Sequence, residues 1–190
     1  MSEQLQQSRN VLAAAAMTVL LAGCASGIST VTSVDMDKSD FFHYRAAASD
    51  GTVHVAVAGQ AGDVGRERLK TFVAEQFSAV NVPGPAAEFS SDPASMDFGG
   101  SRFVVAFHPG PELNVRNMCR TEASALDGLT TAGESSGLYA IAAFCNGDDV
   151  RYWAESRASA DVTLEAFSRR LARDVIPKPI SGKECDRADC

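Results

Sequence analysis

The side chains best suited to chemistry are one serine and three histidines. Gly133-Glu134-Ser135-Ser136-Gly137 matches Gly-x-Ser-x-Gly, a pattern in which a strand-to-helix turn exposes a serine nucleophile, with a downstream acid and histidine completing the triad. Here a loop precedes Ser135, the apolar run Leu138 to Cys145 follows it, and His43, His54 and His108 all lie upstream. Triads on other folds run in other chain orders, so geometry decides whether Ser135 finds a base. Its local context reads as a Gly/Ser turn entering a strand. His43 and His54 flank Ser49-Asp50-Gly51 at similar distances and are expected to face each other across a hairpin, as the start of a metal site or as a plain solvent-face pair. Gly59, Gly62 and Gly65 stand between an expected strand and an expected helix, where phosphate loops also lie. Their spacing lacks the dinucleotide and P-loop patterns, and Asp63 brings negative charge to the helix start. A tight connection is the simpler reading. Asp35, Asp37 and Asp40 suggest calcium, but the turning glycine and distal glutamate of an EF-hand loop are missing. No cofactor or metal is expected.

These residues belong to a chain with 45% hydrophobic and 22% charged side chains, a composition of folded soluble domains. Removing residues 1–23, treated next as a cleaved segment, leaves 167, the length of one domain able to bury roughly two-thirds of its unfolded surface. The net charge is −7, so nucleic acid is not an expected partner.

The amino-terminal segment carries the most specific signal. After a polar start whose only basic side chain is Arg9, an apolar run extends from Val11 to Ala22. Twelve residues at about 1.5 Å each span roughly 18 Å, short of the roughly 30 Å hydrocarbon core, so a secretion signal fits better than a membrane span. The run closes on Leu21-Ala22-Gly23-Cys24, which resembles the lipobox of bacterial lipoproteins. The resemblance covers the signal alone. It implies cleavage before Cys24, a thioether-linked diacylglycerol on its sulfur, and acylation of the new amine; two or more acyl chains hold a protein on a bilayer firmly. In that family an Asp directly after the cysteine favours inner-membrane retention, and here the position is Ala25. The implied location is the outer membrane, facing the periplasm.

Behind Cys24, residues 24–40 are Ser-, Thr- and Asp-rich and read as a tether, with room for a short strand from Ile28 to Val34. The body, 41–177, is read as hairpin, helix, strand, hairpin, helix. Phe41 to Ala48 and Thr52 to Gly59 form the first hairpin, the second with alternating Val53, Val55 and Val57. Asp63 is placed to cap a helix reaching Val80, with Leu69, Phe72, Val73, Phe77 and Val80 at helical spacing. Prolines and glycines make 81–100 a loop. Arg102 to His108 is a buried strand, and Val115 to Cys119 is placed as a short strand before more loop. Leu138 to Cys145 and Val150 to Arg157 pair through Asn146-Gly147, whose residues tolerate positive φ. Adjacent Tyr152 and Trp153 must then point to opposite faces. Asp161 is placed to cap a last helix, ended by Pro177. The fold class is an α+β two-layer sandwich: a mainly antiparallel sheet of about five strands with two amphipathic helices on one face.

With Cys24 assigned to lipid by the resemblance, Cys119, Cys145, Cys185 and Cys190 remain for an oxidising compartment, where four thiols allow three full pairings. The pairing preferred is Cys119–Cys145 with Cys185–Cys190, the latter inside the tail 178–190. The expected function is a non-enzymatic envelope structural or protein-interaction module, attached to the membrane through Cys24 and acting on an envelope protein partner. The alternative is a hydrolase or small-ligand-binding lipoprotein using Ser135, His108 or a pocket under the long loops.

Overall fold

A single mixed sheet organises the chain. The computed structural model describes residues 27–33, 38–49, 51–81, 87–95, 100–131 and 137–178. Its strands are β1 (Ile28–Thr32), β2 (Thr52–Ala58), β3 (Glu88–Ser90), β4 (Ser101–Phe107), β5 (Gly137–Asn146) and β6 (Asp149–Ser159). Their order across the sheet is β1-β6-β5-β4-β2-β3. The pairs β1/β6, β6/β5 and β5/β4 are antiparallel, whereas β2 pairs parallel with both β4 and β3. The helices are α1 (Lys38–Ala48), α2 (Arg66–Ser78), the single turn α3 (Ala123–Leu126) and α4 (Leu164–Val175).

The long apolar runs of β4 and β5 follow from burial on both faces. Val53, Val55 and Val57, Phe103, Val105 and Phe107, Ala140, Ala142 and Phe144, and Tyr152 and Ala154 alternate onto one face. They meet Tyr44 of α1, Leu69, Val73 and Phe77 of α2, and Phe167, Leu171 and Val175 of α4. The intervening Ala56, Val104, Ala106, Ile141, Ala143 and Cys145 face the other way, against Leu113, Met118, Cys119 and Leu126. The segment 110–131 thus lies over the back of the sheet. A disulfide joins Cys119 to Cys145, with Cα atoms 5.5 Å apart, and Arg102 donates from Nη2 to the Cys119 carbonyl. On the front, Arg169 of α4 donates from Nε to Oε1 of Gln76 on α2 at 2.9 Å.

The α+β fold, with α1, α2 and α4 on one face of a sheet, is the one expected from sequence, with several changes in its parts. Phe41 to Ala48 is not a strand but most of α1. Its buried residues Tyr44, Ala47 and Ala48 follow helical spacing, Asp40 lies in the first turn and Arg45 in the last, both matching the helix dipole. With that hairpin gone, β2, α2 and β4 form a parallel crossover unit and the sheet becomes mixed. β1 is the short strand for which the tether left room, and β3 adds a three-residue edge to the expected loop, giving six strands. The N-caps are Gly65 and Thr163, two residues beyond Asp63 and Asp161; the Thr163 side chain accepts from Ala166 N–H at 3.2 Å. Residues 115–120 are successive turns, not a strand. The Asn146-Gly147 hairpin is present, with Gly147 at φ +58° and Asn146 paired to Asp149.

Candidate functional site

Parallel β2 and β4 bring their carboxyl ends to one side of the sheet, the position where open α/β sheets place ligands. After β2, Gly59 passes so close to β4 that a Cβ would stand 2.2 Å from the Phe107 carbonyl oxygen, and its φ is +91°. This contact explains the first glycine of the Gly59/Gly62/Gly65 series: the chain must cross the end of β4 before α2 starts. Asp127 secures the crossing, accepting from Gly59 N–H at 3.2 Å and pairing with Arg66 at 3.3 Å.

The residue after Phe107 is His108, with φ +46°, a left-handed conformation uncommon outside glycine although His, Asn and Asp enter it more readily than most. Three hydrogen bonds to its backbone hold it there. His108 N–H donates to the Tyr139 carbonyl at 2.9 Å, and the His108 carbonyl accepts from Thr131 N–H at 2.8 Å and from Thr131 Oγ1 at 3.1 Å. The residue is 7% exposed and it lines a cleft of about 410 Å³ with Ala61, Asp63, Val64, Leu138, Val162 and Leu164. Burial holds the His108 pKa below the ordinary histidine value, which favours a neutral imidazole able to donate at one nitrogen and accept at the other.

The other sequence candidates are dispersed. Ser135 lies outside the described residues, as do Cys24, Cys185, Cys190, Asp35 and Asp37. His43 and His54 are not partners across a hairpin. His43 sits on α1, with Nδ1 3.3 Å from Asn146 Nδ2. His54 sits on β2, on the sheet's back, 2% exposed, with Nδ1 2.9 Å from the Asp92 carbonyl. Among the described residues no three metal-ligating side chains cluster. Cys119–Cys145 is the first of the two pairings preferred from sequence. Tyr152 points into the helix-side core, and half-buried Trp153 points to the back. In the sequence, His108 enters only through the alternative function. The signal that marks it is a histidine ending a buried strand immediately before Pro109-Gly110-Pro111, and this acquires meaning once β4 is known to run parallel to β2.

His54 supplies a pH test. Burial depresses its pKa more than the Asp92 carbonyl raises it. Below about 6.5 the unfolded chain takes up a proton that the folded chain resists, so stability falls as pH drops below the unfolded value. The denaturant midpoint should therefore fall from pH 7.5 to 5.5, and fall less in His54→Gln. Equal drops in the two proteins would exclude this role for His54.

The chain matches no protein family model and no curated protein. A search of solved structures finds a PelC dodecamer from Paraburkholderia phytofirmans, at 12% identity and a TM-score of 0.37, covering 78% of this chain and 92% of that one.

Proposed function

We propose that this chain is a lipid-anchored envelope protein, held at the periplasmic face of the outer membrane through Cys24 and working as a non-enzymatic interaction module. The observation that carries the reading is the Cys119–Cys145 disulfide, whose two residues are both fully buried. Such bonds form and persist in oxidising compartments, which is where the Leu21-Ala22-Gly23-Cys24 resemblance would send the chain. Among the described residues no helix is long and apolar enough to cross a membrane, and a net charge of −7 opposes adsorption to anionic lipid. Attachment then depends on the acyl chains.

The anchor also orients the body. Ile28, the first residue of β1, is four residues after Cys24, a reach of at most about 14 Å. The end of the sheet bearing Gly27 and Ser159, which are joined by a backbone hydrogen bond of 3.2 Å, would stand close over the bilayer. The outer part of the sheet's back, on β1, β6 and β5, is the surface proposed to meet a protein partner. It offers Val31, 62% exposed, half-buried Trp153, and Tyr139 with the Arg157 guanidinium 4.3 Å from its ring centroid, an aromatic–arginine combination enriched at interfaces. Of the two adjacent aromatics on β6, Trp153 is the one available to a partner, since Tyr152 is inside the core.

Two measurements test the proposal. The wild-type chain should fractionate with membranes and carry the mass of a lipidated Cys24 amino terminus, while Cys24→Ser should be released or keep residues 1–23. Membrane attachment of correctly cleaved Cys24→Ser would refute the anchor. A photo-crosslinking residue at position 31 or 153 should capture a discrete envelope protein that the same residue at Arg173, on α4, does not. Equal capture from both faces would refute the surface.

A further inference from the structure

The cleft beneath His108 has the features of a built site, and they do not depend on the lipid anchor. His108 is more than nine-tenths buried, it lines the cleft, and its ring nitrogens make no hydrogen bond among the described residues. Those nitrogens are not among the buried atoms without a partner, so solvent reaches them, and a ligand in the cleft would replace that solvent as their partner. The backbone around it is costly: a left-handed histidine beside a glycine that must touch β4. Such strain persists where surrounding structure enforces it and concentrates at binding sites. Half-buried Val64, Leu138, Val162 and Leu164 form the apolar part of the wall.

Charge selects the ligand class. Asp63 is the only charged residue among the described residues lining the cleft. The starts of α2 and α4 flank it, and their first-turn carboxylates Glu67 and Glu165 are paired with Lys70 and Arg169, so the charge at the cleft is that of Asp63. We propose that this cleft binds a small organic cation, its ammonium group held by the Asp63 carboxylate and the His108 imidazole and its hydrocarbon body lying on Val64, Leu138, Val162 and Leu164. The neutral imidazole accepts a hydrogen bond that the ammonium donates, the carboxylate supplies the opposite charge, and the apolar wall rejects cations without a hydrocarbon part.

The probe is n-hexylammonium chloride, titrated calorimetrically at pH 7.5 into the full chain in phosphatidylcholine nanodiscs, with empty nanodiscs as the blank. One saturable site is expected, with hexanoate and 1-hexanol at least about tenfold weaker, a difference of about 1.4 kcal/mol. Asp63→Asn and His108→Asn should each weaken hexylammonium binding about fivefold or more. Asp63 is exposed, so its replacement leaves the core intact, and Asn tolerates the left-handed backbone at 108. The proposal is overturned if hexylammonium shows no saturable heat, if hexanoate binds as tightly, or if either variant binds like the parent. Because the assay reads the cleft and not the anchor, loss of the site and loss of Cys24 lipidation are separately visible.

Discussion

Replacing Phe103 with alanine is expected to lower the unfolding free energy by about 3–5 kcal/mol, the range for truncating a buried aromatic side chain. Phe103 is fully buried at the centre of β4. Its ring lies 5.0 Å from Phe144, 5.7 Å from Phe77 and from Phe89, and 6.2 Å from Tyr44. These partners come from β5, α2, β3 and α1, so the one side chain joins the central strands to two helices and to the short edge strand. Tilted and edge-on pairs contribute beyond the apolar area they bury, and alanine leaves a cavity bounded by rings on four elements. Phe42 is the control, because it is 62% exposed on α1 and Phe42→Ala should change stability by no more than about 0.5 kcal/mol. Phe103→Leu should fall between the two. Chemical unfolding of all three variants measures this. A cost below about 1.5 kcal/mol for Phe103→Ala would show that the cluster repacks and is not the keystone the ring distances indicate.

The same cluster explains which parts of the fold can be read from sequence. β2, β4, β5, β6, α2 and α4 are legible because each has enough residues to display its own period, and Asn146-Gly147 is legible because a two-residue turn imposes its own chemistry. α1 is misread as a strand because Phe41, Phe42 and Tyr44 carry β propensity. Its helical evidence lies in which residues are buried, namely Tyr44, Ala47 and Ala48, and alanine gives little hydrophobic contrast along a sequence. That one misreading propagates. Counting a hairpin at 41–59 consumes β2 as an antiparallel partner and hides its parallel pairing with β4, which in turn hides the meaning of His108. β3, at three residues, is too short to show any period and depends on Phe89 reaching the Phe77 and Phe103 rings. The N-caps at Gly65 and Thr163 are displaced from Asp63 and Asp161 by two residues each, the usual uncertainty of a boundary set by local hydrogen bonds. The cleft is least legible of all, because it gathers the ends of β2, β4 and β6 and the start of β5, and no short stretch of chain contains it.

Cover on the back of the sheet has a different physical basis, and removing the Cys119–Cys145 disulfide should expose it. Residues 110–131 contain one four-residue helical turn, a three-residue 3-10 turn at Asp127–Leu129 and an isolated bridge from Thr130 to Pro109, and otherwise turns and irregular chain, so local structure contributes little to holding them in place. Leu113, Met118 and Leu126 supply buried apolar contacts, and the disulfide closes a 26-residue separation. In the chain-entropy model a loop of this size is worth about 3 kcal/mol. The double variant Cys119→Ala/Cys145→Ala, which avoids leaving a buried thiol, should therefore unfold about 6–12 °C lower. The loss should also be unevenly distributed. Backbone amides that use only the 110–131 segment, such as Met118 N–H to the Asn114 carbonyl at 3.2 Å, should lose hydrogen-exchange protection well before those of β4 and β5. Arg102 would keep its bonds to the Gly100 and Gly147 carbonyls but lose a fixed Cys119 carbonyl, leaving a half-buried guanidinium less satisfied. Exchange measured by mass spectrometry on oxidised, reduced and double-variant protein separates these effects. Uniform loss of protection across the sheet and the 110–131 segment would mean that the cover and the sheet unfold as one unit and that the disulfide is not what retains the cover.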